Sequence, residues 1–181
     1  MRDFLHSEIS QIHGIPNIPD YPDIAVEAGS KLCTEVLEPI QEALGRISIR
    51  SGYRSPSVNA KGAENHNQYS CASNATNFGR HIWDYRDKRG HYGATACIVV
   101  NSFIPYYEST GRWQALAWWI HDHVPGYSSM CFFPKYAAFN VRWSQQPEKM
   151  IKSYVEPRGM LTTPENLSQC HKEEYLSLIH I

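Results

Sequence analysis

Between Ser30 and Gly45 the apolar residues Leu32, Val36, Leu37, Ile40 and Leu44 recur at helical spacing. The pattern predicts an amphipathic helix with Ser30 as its N-cap and Gly45 just past its end. Pro39 falls inside it and cannot donate a backbone hydrogen bond, which predicts a kink. The period then shortens to two: Ile47 and Ile49 face one way, Ser48 and Arg50 the other, as a strand over 46–51 requires. Ser55-Pro56 opens a short helix, with Ser55 capping and Pro56 at the first helical position. Residues 90–100, GHYGATACIVV, end in a β-branched run that reads as a buried strand. Over 113–124, Leu116, Trp119, Ile120 and His123 share a helical face, and Pro125-Gly126 stops it. Two short strand-like runs follow, 130–133 and 137–143, split by Pro134-Lys135.

The remaining stretches have no usable period. Residues 15–23 carry three prolines and predict an extended arm. Residues 61–79 are rich in Asn, Ser and Gly and read as a surface loop. The expected layout is an arm over 1–24, one domain over 25–144 with a polar insertion at 61–89, and an irregular tail over 145–175. The last residues, 176–181, read LSLIHI, the translation of a DNA-library adapter in one frame, and are expected to be a sequencing artefact.

A chain of 181 residues with 42% hydrophobic content supports one core. With 17 basic and 18 acidic side chains there is no overall field to draw it onto nucleic acid or an anionic membrane. The five cysteines form no CxxC pair and are odd in number, which fits reduced thiols. Neither a secretory leader nor an apolar run long enough for a membrane span is apparent, so the expected place of synthesis is the cytoplasm.

The stretch LEPIQEALGRISIRSGYRSPSVN contains SGYRS, Ser51 to Ser55, between a strand and a short helix. It resembles the zinc D-alanyl-D-alanine carboxypeptidases, cell-wall peptidases of the Hedgehog/DD-peptidase fold. The resemblance implies an α+β domain with an antiparallel sheet flanked by helices. It also implies zinc as cofactor, peptidoglycan stem peptides ending in D-Ala as substrate, and a phage or bacterial source. In a phage such a protein would reach the wall through a lysis pore or in the virion. Arg54 matches the family arginine that steadies the substrate carboxylate or oxyanion, with a structural salt bridge as the competing role. Ser51, Tyr53 and Asn140 are the expected substrate contacts, although core packing is the commoner use of a tyrosine.

The metal half of the resemblance departs from the family. A catalytic zinc needs three protein ligands, an open position for water and a carboxylate base. Aligned on the family pattern Ser-x-His-x-x-Gly-x-Ala-x-Asp, His91 takes the first ligand position if one residue is deleted before Gly93, and Cys97 takes the Asp position. Phe133 stands where the general-base Glu belongs and Asn140 where the second zinc His belongs. His81 and Asp87 nearly reproduce the His-to-Asp spacing and form an alternative pair; the competing reading is a surface turn in which Asp84 and Asp87 pair with Arg80, Arg86 or Lys88. His121 and His123, two apart on a helix, diverge. A Cys97 nucleophile activated by His91 lacks an orienting acid. Two functions follow: a zinc peptidase acting on peptidoglycan peptides, or a pseudoenzyme whose groove binds a cell-wall peptide or a virion protein.

Overall fold

In a computed structural model, residues 2–64 and 68–176 are described; apart from Leu176, the expected artefact lies outside them. Two short helices, α1 (Arg2–Leu5) and α2 (Glu8–His13), begin the chain where an extended arm was expected. The extended stretch is confined to residues 14–20, and α3 (Pro22–Leu32) starts with Pro22 at its first position. A π-helical turn, Cys33–Leu37, joins α3 to α4 (Glu38–Leu44). The expected kink at Pro39 is therefore absorbed as one wide turn, closed by Glu38 N donating to Cys33 O. Ser30 is not a cap but an interior residue of α3.

Strand β1 (Ile47–Ser51) leads through the SGYRS turn to α5 (Pro56–Ala63), where Ser55 Oγ accepts from Val58 N at 3.3 Å as its cap. A single turn, α6 (Asn74–Asn77), interrupts the polar segment before β2 (Gly93–Val100). Then come α7 (Ile104–Thr110), α8 (Trp113–His123), β3 (Tyr127–Phe132) and β4 (Phe139–Ser144). The tail is not irregular throughout: β5 (Met150–Ser153), β6 (Gly159–Met160) and α9 (Lys172–Tyr175) lie within it.

The fold is α+β, with a six-stranded sheet in the order β1-β2-β4-β3-β5-β6. It is mixed rather than antiparallel, because β5 runs parallel to β3. The cause is local. β4 ends beside the start of β3, with Tyr127 opposite Trp143, so residues 145–149 step across that end and β5 returns antiparallel to β4. Lys149, at a left-handed φ of 54°, holds the crossing by donating to the carbonyls of Pro125 and Tyr127.

Alternation sorts the sheet into two faces. Ala94, Ala96 and Ile98 of β2 line up with Val141 and Phe139 of β4, Met130 and Phe132 of β3, and Ile151 of β5. These residues are buried against Ala25, Ala28 and Leu32 of α3, Val36, Ile40 and, from α8, Ala115, Leu116 and Ile120. The opposite face carries two rows that run across the strands, Thr95-Arg142-Ser129-Met150 and Cys97-Asn140-Cys131-Lys152. Both helix layers sit on the first face, so the second is left to the loops between β1 and β2.

Candidate binding groove

The SGYRS turn is held from several sides. Tyr53 N donates to Phe4 O at 2.9 Å, Arg54 N to His81 O at 2.8 Å and Ser55 N to Asn17 Oδ1 at 2.7 Å. Asn17 Nδ2 in turn donates to the carbonyl of Tyr53 at 2.9 Å. Gly52 is required by close approach, since a Cβ there would meet Phe4 O at 2.8 Å. Three separate segments thus fix the direction in which Arg54 leaves the turn.

A groove of about 660 Å³ opens over the polar face of the sheet. Arg54, Arg80, His81, Asn140, Arg142 and Lys152 line it, together with Cys131 and Phe133, and its lining contains no Asp or Glu. Arg142 pairs with Asp87 at 2.9 Å and with Glu148 at 3.6 Å, while Arg80 reaches Glu148 only at 3.9 Å. Arg54 and Lys152 have no carboxylate partner among the described residues. The Arg54 guanidinium donates to Cys71 Sγ at 2.6 Å, and its Nε is buried without an acceptor. Burial pulls the Arg54 pKa below its ordinary value, with the nearby Cys71 opposing, yet a guanidinium stays charged in a protein. The salt bridge expected as its competing role is not formed among the described residues.

His81 Nδ1 lies 2.9 Å from the carbonyl of Gly52. A carbonyl can only accept, so Nδ1 carries the proton and Nε2 the lone pair. Burial first, then the Arg54 charge, push its pKa down to about 3, so the ring is a neutral acceptor at the groove wall. Asn140 stands between Cys97 and Cys131 in register across three strands. Burial raises the Cys97 thiol to about 11, against the pull of Arg50 and Arg54. Thr95 Oγ1, on the next row, is buried without a partner. Phe133 stacks on Tyr154 with ring centroids 5.8 Å apart.

The other residues singled out from sequence lie elsewhere. Tyr53 is 1% exposed and packs edge-on against Trp83; it and Ser51 line a smaller cavity of about 360 Å³ beside Arg54. Asp87 accepts from Arg142, from His91 N at 3.0 Å and from Arg89 N at 2.9 Å. Its oxygens are committed to that role, and neither Asp87 nor His91 lines the groove. Asp84 receives the backbone N–H groups of Asp20 and Tyr21 at 2.8 and 3.1 Å, ahead of α3. His123 stacks on Trp119 and donates to or accepts from no metal-binding neighbour; its Nδ1 lies 2.8 Å from Trp119 O.

The groove residues do not fit a catalytic zinc. Among the described residues, a convergent trio of His, Cys, Asp or Glu ligand atoms occurs in the group His121, Asp122 and His171, which could hold a metal ion. Those residues belong to α8 and the start of α9, not to the groove. In the groove the potential ligands are a neutral His81, the Cys131 thiol raised by burial and the amide of Asn140, with no carboxylate to activate a water; Cys97, also raised, is not in the lining.

The sequence reasoning missed Arg142, Lys152 and Arg80. Arg142 and Lys152 sit at alternating positions of FNVRWS and MIKS, which was the available signal. A buried amide knot also went unseen: Asn77 Nδ2 donates to Asn59 Oδ1 at 2.9 Å, and Asn59 Nδ2 to Asn74 Oδ1 at 2.8 Å, fastening α5 to α6 at the rim. No family model, curated protein or solved structure matches this chain.

Proposed function

We propose that this protein is a peptide-binding module whose groove takes the free carboxylate end of a peptide, such as a peptidoglycan stem peptide ending in D-Ala, without hydrolysing it. One observation carries this reading: four cationic side chains line the groove and no acidic one does. Arg54 and Lys152 bring charge that no described carboxylate neutralises, and an anionic end group would find the Arg54 donor already desolvated and in place. Asn140 and Thr95 add neutral hydrogen-bonding groups on the floor, and His81 Nε2 can accept a peptide N–H. In the alignment with the resembled family, Phe133 takes the general-base position and Asn140 a zinc-ligand position, and both are in the groove lining. This favours the binding reading over the peptidase reading that SGYRS suggests.

The test is calorimetric titration with a D-Ala-terminated tripeptide and with its C-terminal amide. The acid should bind at least 10-fold more tightly, a difference of about 1.4 kcal/mol. Arg54→Gln should erase the preference. Mass spectrometry should find no released D-Ala with or without added zinc. Equal binding of acid and amide, or chelator-sensitive release of D-Ala, would overturn the proposal.

A further inference from the structure

On the far face of the sheet from the groove, α8 and the segment leading into α9 meet in a cluster of aromatic and titratable side chains. His171 lies flat on Trp118, with ring centroids 3.6 Å apart and planes 4° from parallel. Its Nδ1 is 3.0 Å from Asp122 Oδ1, while its backbone N–H and Tyr175 OH donate to Asp122 Oδ2 at 3.1 and 2.9 Å. The ring is 7% exposed, and its Nε2 is buried without a partner. Nε2 lies across the ring from the nitrogen that meets Asp122, so the atoms that converge are His171 Nδ1 and the Asp122 carboxylate.

His121 stands beside it, ring centroids 5.3 Å apart and planes nearly perpendicular. Its Nε2 is 3.1 Å from the carbonyl of Leu167, and its Nδ1 faces Tyr127 OH at 2.5 Å. Because the Leu167 carbonyl can only accept, the neutral ring keeps its proton on Nε2 and its lone pair on Nδ1. Both nitrogens of His121 are thus engaged, Nε2 donating to Leu167 O and Nδ1 accepting from Tyr127 OH, and His171 Nδ1 is engaged with Asp122, so an ion among the three residues would take the place of these hydrogen bonds. One ligand atom from each of His121, Asp122 and His171 lies within 4.8 Å of the other two.

We propose that His121, Asp122 and His171 form a binding site for a borderline transition-metal ion of the zinc class, which clamps the segment around His171 onto the end of α8. Two imidazoles and one carboxylate suit zinc, cobalt, nickel or copper and are poor for calcium or magnesium, which take all-oxygen sets. The role is structural: the ion would join a residue pair that precedes β3 in the chain to a residue that follows β6, so that binding stabilises the folded chain by mass action. It shares no residue with the groove, and each reading stands or falls without the other.

Tag-free full-length protein is titrated with zinc chloride in a calorimeter, with melting temperature recorded in parallel. The expected result is one ion per chain and a melting temperature that rises with zinc. His171→Ala should weaken binding at least ~100-fold, and Asp122→Asn, which replaces the carboxylate ligand by an amide, at least ~10-fold. His13→Ala should change nothing. Should His171→Ala fail to fold, His121→Asn at its half-exposed position reads the same loss. Calcium and magnesium at millimolar excess should not compete. Binding well under one equivalent, or full affinity in His171→Ala or His121→Asn, would overturn the proposal.

Discussion

Arg142 Nη2 lies 2.9 Å from Asp87 Oδ2, and the pair fastens the loop over the groove to the sheet beneath it. The Arg142 side chain is 2% exposed and that of Asp87 14%. Arg142 Nε also donates to Gly79 O at 2.8 Å, so one guanidinium ties down both ends of the 79–87 turn. Removing the carboxylate leaves a buried charge with only the longer Glu148 contact. Asp87→Ala should cost about 3–5 kcal/mol in urea unfolding. The double variant Asp87→Ala/Arg142→Met should lose markedly less, because it removes the stranded charge as well. Equal losses in the two would mean that the pair contributes packing alone.

The elements read from the chain were those set by neighbours in sequence. The Ser55 cap, the alternation through Ile47 and Ile49, and the stripe of Leu116 and Ile120 depend on residues within one turn or one strand. Ser30 misled because a serine just ahead of an apolar stripe reads as an N-cap, yet it lies inside α3. A Cβ at its neighbour Gly29 would meet Trp83 Cζ3 at 2.6 Å, so the glycine lets α3 pass close to a buried ring. The groove was legible at Arg54 and Asn140 and opaque at Arg142, whose partner Asp87 is 55 positions away. Likewise the metal cluster joins His121 to His171, and no local period couples residues so far apart. β5 escaped because MIKS is too short to establish a period.

Acid should weaken the fold well before the carboxylates titrate. His81 is buried and neutral, with its pKa pushed down to about 3, whereas the unfolded chain protonates it near the ordinary ~6.5. Between those values the unfolded state binds the extra proton, so stability is fully present above ~6.5 and falls as pH drops toward 3. At pH 5.0 the loss from this residue is about 2 kcal/mol. Asp87 adds to it at lower pH. Burial alone would raise its pKa, but the His91 N–H, Arg142 and the Arg89 N–H outweigh that and hold it below the usual value. Urea midpoints measured from pH 7.5 to 4.5 should fall in wild type. In His81→Asn they should start lower and fall less; an identical slope in the two would assign the acid sensitivity to other groups.

Gly93 is placed where no side chain fits. A Cβ there would stand 2.5 Å from Gly79 O and 2.8 Å from Trp143 O, both backbone atoms that cannot yield cheaply. Gly79 O is also the acceptor for Arg142 Nε. Gly93→Ala should therefore destabilise by about 1–3 kcal/mol through overpacking and displace Arg142 from its place in the groove. A fall in the urea midpoint should be accompanied by altered ligand binding. Gly90→Ala is the useful contrast: nothing lies within 4 Å of its Cβ, so the cost there comes from the positive φ of 83° alone and should leave the groove intact.

Thiol labelling separates the binding groove from a chemically active one. A cysteine acts as nucleophile or zinc ligand through its thiolate. Burial raises Cys97 to about 11 and lifts Cys131 as well, so both are protonated thiols at neutral pH despite the cations nearby. Cys170 is exposed and sets the reference rate. With iodoacetamide at pH 7.5, peptide mapping should find Cys170 modified first and Cys97 slower by roughly 10²-fold, from its smaller thiolate fraction alone. Raising the pH toward 9.5 should speed Cys97 steeply, as its thiolate fraction grows. Were Cys97 to label as fast as Cys170 at pH 7.5, Arg50 and Arg54 would be holding a thiolate next to Asn140 on the sheet. A nucleophile would then stand against the groove floor, and the reading of the groove as a binding site without chemistry would fail.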